Sequence, residues 1–123
     1  MLIYFHIATD RLEEIQEKAL RKNYPAIKQA LQRYVEENNF SDLSLVDGCD
    51  MDDIDSWQLG LTQGIKKNKQ LQTPVNLCND LAKEFQLDFE FGFIENAQAE
   101  AVSYFGYEEG HGDIFMMSQY LGL

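Results

Sequence analysis

The side chains of this chain with most chemistry to offer are carboxylates, and they come in two runs. The first is Asp47, Asp50, Asp52, Asp53 and Asp55. Closely spaced oxygen ligands invite a calcium reading, because an EF-hand loop alternates carboxylates, turns on a Gly at its sixth position and closes on a Glu at its twelfth. Counted from Asp50, the third position is Asp52, but the fifth, sixth and twelfth are Ile54, Asp55 and Leu61. The pattern fails, and a solvated acidic turn that caps a helix is the plainer expectation. The second run lies between Asp88 and Leu123, which hold seven carboxylates and no Lys or Arg. Glu95, Glu100, Glu108, Glu109 and Asp113 are interleaved there with Tyr104 and Tyr107. Aromatic rings supply contact area, and carboxylates accept bidentate hydrogen bonds from Arg or pair with Lys, so this composition suits a surface for a basic protein. Trp57 fits that description too, but a core edge is the simpler place for it.

Other chemistry is thinly represented. His111 sits among glycines beside Glu108, Glu109 and Asp113, which permits an acid–base or single-ligand metal role. No second His or Cys stands at ligand spacing, and a loop histidine near carboxylates is the plainer account. His6 alternates with apolar neighbours and reads as a sheet residue. Cys49 lies among aspartates, which disfavour a thiolate, and with Cys78 it makes no disulfide framework or metal motif. Gly106, Gly110 and Gly112 lack the positive setting of a phosphate loop. No Ser-His-Asp, P-loop or dinucleotide fingerprint is present. The expectation is a binding protein without cofactor or metal, not an enzyme.

Net charge is −11 with a sequence pI near 4.4. Residues 41–65 contribute six aspartates and no base, and residues 66–87 carry four lysines against two acids. Such a field repels nucleic acid and anionic membranes and steers cationic partners, although solubility alone would also account for it. No apolar run approaches the roughly 18 to 20 residues of a membrane span. The apolar start, Met1 to Ala8, lacks a basic lead and a cleavage site, so a buried strand in a cytoplasmic protein with free thiols is expected.

The elements that must position these groups follow from periodicity. Residues 2–8 read as a strand. Asp10 as N-cap with Glu13 three residues on opens a helix that Asn23-Tyr24-Pro25 ends. Ile27, Ala30, Leu31, Tyr34 and Val35 mark a second helix. Leu43 to Val46 is a short strand or link. Ile54, Trp57, Leu61 and Ile65 recur every three to four residues and predict a third helix from about Asp52 to Asn68. Thr73-Pro74 opens a fourth, buried along Val75, Cys78, Leu81, Ala82 and Phe85. Phe89, Phe91 and Phe93 alternate with polar residues in the first strand of a hairpin, Glu95-Asn-Ala-Gln98 turns it, and Ala99 to Tyr107 returns. A short helix from Asp113 to Leu121 closes the chain. The expected fold is one α+β domain spanning residues 1–123, with helices followed by a C-terminal β-hairpin and short helix. A small, mostly antiparallel sheet would be completed by the N-terminal strand.

The stretch Tyr104-Phe-Gly-Tyr-Glu-Glu-Gly-His-Gly-Asp113, with Tyr120-Leu-Gly-Leu123, resembles the small acidic immunity proteins of bacterial toxin–immunity systems of the contact-dependent growth inhibition type. The likeness covers under a third of the chain and assigns no residue a role. It implies a non-enzymatic inhibitor that binds one cognate toxin domain, a basic nuclease, and occludes its active site. Two alternatives stand beside it: a homodimer that pairs aromatic hairpin faces, and a small enzyme using His111 with a nearby carboxylate.

Overall fold

A computed structural model describes the whole chain, Met1–Leu123. Strand β1 (Leu2–Ile7) is followed by one long helix α1 (Glu14–Glu37), strands β2 (Ser44–Asp50) and β3 (Asp53–Gly64), and a 3₁₀ turn at Asn68–Leu71. Helix α2 (Gln72–Phe85), the hairpin β4 (Asp88–Glu95) and β5 (Gln98–Gly106), and helix α3 (Ile114–Leu121) complete it. The five strands form one sheet in the order β2-β3-β1-β4-β5, every neighbour antiparallel.

This overturns the expected run of four helices before a hairpin. The predicted third helix is β3, hydrogen-bonded to β2 on one side and β1 on the other. Trp57, Leu61 and Ile65 are four residues apart, and four is both close to one helical turn and an even number of strand residues. What separates the two readings is Leu59 and Gln63, which are buried between them and complete a period of two from Trp57 onward. Gly60, a weak helix former, is required in the strand: a Cβ there would sit 1.7 Å from the carbonyl oxygen of Phe5 on β1.

The first two predicted helices are one. Pro25 lies inside α1 and has no N–H for the carbonyl one turn back, which costs about 3 kcal/mol. Leu20, Ile27, Leu31 and Tyr34 nevertheless stay in phase on one buried stripe across it. Each fully buried side chain of that size contributes roughly 1.5–3 kcal/mol, so keeping the stripe straight outweighs the proline. The helix begins at Glu14 instead of after Asp10, with the Glu13 backbone N–H donating to Gln16 Oε1 at 2.8 Å.

All three helices give their buried side chains to one cluster. Leu20 and Leu31 of α1, Val75 and Cys78 of α2, and Met117 and Leu121 of α3 meet Ile3, Phe5, Phe89 and Phe91 there. The aromatic face of the hairpin is therefore core, which removes it as a dimer surface. The opposite sheet face, carrying Tyr4, His6, Glu90 and Thr62, has no helix over it. No helix is long and apolar enough to cross a membrane.

Candidate functional site, an acidic cleft beside an apolar groove

The loop after β5 carries Tyr107, Glu108 and Glu109, and two side chains from other elements hold it. Asp88, paired with Gly106 at the base of the hairpin, accepts the backbone N–H groups of Glu108 at 3.0 Å and Glu109 at 3.1 Å through Oδ1. On α2, buried Asn79 accepts from Gly112 N at 2.8 Å and donates Nδ2 to Gly112 O at 3.1 Å. Gly112 packs so close to Phe105 that an added Cβ would meet the ring at 2.6 Å. His111 Nε2 lies 3.3 Å from Asn79 Nδ2, so it faces an amide and not the carboxylates beside it in sequence.

Held this way, the loop walls a cleft of about 120 Å³ against the β1–α1 connection. Asp10, Asp88, Glu108 and Glu109 line it with a single guanidinium, that of Arg11, whose Nε lies 3.9 Å from Asp10 Oδ2. Gln16 of α1 donates Nε2 to Glu108 Oε1 at 3.2 Å. The Tyr104 hydroxyl lies 3.5 Å from Asp10 Oδ2 and 3.4 Å from Glu90 Oε1. Burial, then the charges of Asp10 and Glu90, raise the pKa of that phenol, which keeps it a neutral donor. Behind it, Tyr4 donates to Glu90 Oε2 at 2.8 Å. Burial drives the His6 pKa down against the opposing charge of Glu90, and its Nε2 is buried without a protein partner.

Next to the cleft, and sharing Leu12, Gln16, Gln86 and Glu108 with it, is a groove of about 220 Å³ between the start of α1 and the end of α2. Its lining is mainly apolar, and two of its large apolar side chains are open to solvent: Ile15 at 75% and Tyr107 at 53%. Ile15 stands on a different side of α1 from the buried stripe of Leu20, Ile27, Leu31 and Tyr34.

The first acidic run lies toward the opposite edge of the sheet, in β2, the β2–β3 turn and the start of β3. Asp47 is engaged internally, 2.8 Å from Lys28 Nζ and accepting from the Tyr24 hydroxyl at 2.8 Å. Burial raises the Asp47 pKa, but hydrogen bonds from Lys28 and Tyr24 outweigh it and the net shift is downward. Burial, then Asp47, push the Cys49 thiol up to about 12, which leaves it inert at neutral pH. Asp50 Oδ1 accepts from Asp52 N at 2.9 Å, and Asp52, Asp53 and Asp55 are exposed. The β2–β3 turn and the cleft flank the same half of α1: Arg21 donates to Met51 O at 3.1 Å while Gln16 contacts Glu108. Those two helix residues are about 7.5 Å apart along the axis.

Of the residues singled out from sequence, Tyr104, Tyr107, Glu108 and Glu109 come together. Asp50, Asp52, Asp53 and Asp55 form a separate patch across α1. Glu95 and Glu100 lie toward the other end of the sheet, near the hairpin turn. Asp113 caps α3, accepting from Phe115 N at 2.8 Å. Asp10, Arg11, Ile15 and Asp88 were missed as site residues, since nothing local joins positions 10 and 88; only the pairing of β1 with β4 does. Nowhere do three His, Cys, Asp or Glu side chains converge to hold a metal ion.

No protein-family model matches this chain, and no curated protein or solved structure is similar to it.

Proposed function

We propose that the chain is an inhibitory binding protein of the immunity type, kept in the bacterial cytoplasm, that neutralises one basic toxin domain. The observation that carries this reading is the cleft: four carboxylates and Tyr104 around one guanidinium, with open apolar side chains beside them. A nuclease site built to hold phosphates presents Lys and Arg, and carboxylates held at the ends of fixed strands and loops answer those groups without a large ordering cost. Only four ion pairs exist within the protein, so most of its acidic groups remain to act on a partner.

The test is co-purification with the protein encoded immediately upstream, followed by titration calorimetry at low and high salt. A nanomolar one-to-one complex that weakens with salt and silences a nuclease activity is the expected result. Absence of a complex overturns the reading. In that case self-association gains ground, for which α3 offers a different surface from the buried hairpin face: Phe115 is 64%, Tyr120 56% and Met116 43% exposed.

A further inference from the structure

We infer that the apolar groove and the acidic cleft are one docking site for a short segment of the partner. An apolar side chain of that segment fills the groove, and a Lys or Arg within a residue or two of it enters the cleft. The inference rests on the inhibitor reading and names the chemistry that reading leaves open.

The groove carries the argument. Ile15, 75% exposed, and Tyr107, 53% exposed, leave large apolar side chains open on a groove that is also lined by buried Leu20 and Leu87. Exposed apolar patches rimmed by polar groups mark interaction surfaces. What covers it must also satisfy the neighbouring wall, because Leu12, Gln16, Gln86 and Glu108 belong to both depressions. The sign of that wall is set by four carboxylates against Arg11, which already lies near Asp10. A neutral or acidic segment would leave those carboxylates unpaired on docking, and each desolvated charge without a partner is costly. A segment pairing an apolar anchor with a cation satisfies both. An extended segment advances about 3.3 Å per residue, so neighbouring positions span two adjoining depressions.

Amide NMR titration of the whole protein with N-acetyl-leucyl-arginine amide, and in parallel with N-acetyl-leucyl-glutamate amide, tests the chemistry without the partner. The arginine peptide is expected to shift Leu12, Ile15, Gln16, Tyr107 and Glu108, and the glutamate peptide to leave them in place. No localised shift, or equal shifts from both peptides, overturns the docking site. Shifts at these amides on concentrating the protein alone would put a second copy in the groove and overturn it as well. In the second arm, Ile15→Ala and Glu109→Gln, both at exposed positions, are each expected to weaken the complex with the upstream protein on the order of tenfold. Full affinity in both variants sinks the docking site and leaves the inhibitor reading standing. A wild-type protein that does not bind the upstream protein at all sinks the inhibitor reading instead, whatever the peptides do.

Discussion

Asn79 and Gly112 exchange two hydrogen bonds, 2.8 and 3.1 Å long, in a contact buried between α2 and the loop after β5. That contact positions Glu108 and Glu109, which touch neither residue. Asn79→Ala leaves a buried N–H and C=O without partners, a loss of about 2–3 kcal/mol in stability. Hydrogen exchange should also show the amides of residues 106–112 opening faster than the hairpin strands. Uniform protection in the variant would mean that Asp88 alone holds the loop.

The hairpin turn is strained at one position. Asn96 and Ala97 both have positive φ, at 53° and 61°, as a two-residue type I′ turn requires, and Ala is poorly suited to that region. Ala97→Gly should stabilise the protein by about 0.5–1 kcal/mol and raise Tm by a few degrees, read by calorimetry. Asn96→Gly should gain less, since Asn tolerates this conformation.

His6 couples stability to pH. Its folded pKa is depressed, so its contribution is present above the unfolded value of about 6.5 and is lost as pH falls from there through the folded value. Denaturant unfolding of the wild type should show stability decreasing below about pH 6.5, before carboxylates begin to titrate. His6→Gln should flatten that part of the curve. An identical slope in both proteins would place the titrating group elsewhere.

The two acidic patches are separable. Glu108→Lys with Glu109→Lys should slow association with the proposed partner and weaken the complex by 1.4 kcal/mol or more, about tenfold. Asp52→Lys with Asp53→Lys should act mainly on the association rate, and less as salt rises. Asp47→Asn should leave binding unchanged, because that carboxylate already answers Lys28 and Tyr24. Stopped-flow association at two ionic strengths distinguishes these outcomes.

Several parts of the fold are legible in the sequence. β1, the hairpin, the buried stripe of α2 and the Asp113 cap of α3 each follow from patterns within about a dozen neighbouring residues. β3 and the continuity of α1 were not legible, for different reasons. A four-residue spacing fits both a helix turn and an even number of strand residues, so Trp57, Leu61 and Ile65 could not choose between them; pairing with β1 and β2 chose. Pro25 is a local break signal, and only the stripe it would interrupt, packed on a sheet assembled from distant strands, shows why the helix runs through it.

The sequence by itself determined the charge, the absence of familiar catalytic motifs, and which residues carry carboxylates and aromatic rings, because these are properties of composition and short spacing. Tertiary structure decided which of them act together. Asp10 and Asp88 meet Glu108 and Glu109 because β4 pairs with β1 and Asn79 ties down the loop, whereas Asp47 to Asp55 are carried toward the far edge by β2 and the start of β3. Position along the chain does not encode those distances; long-range strand pairing does.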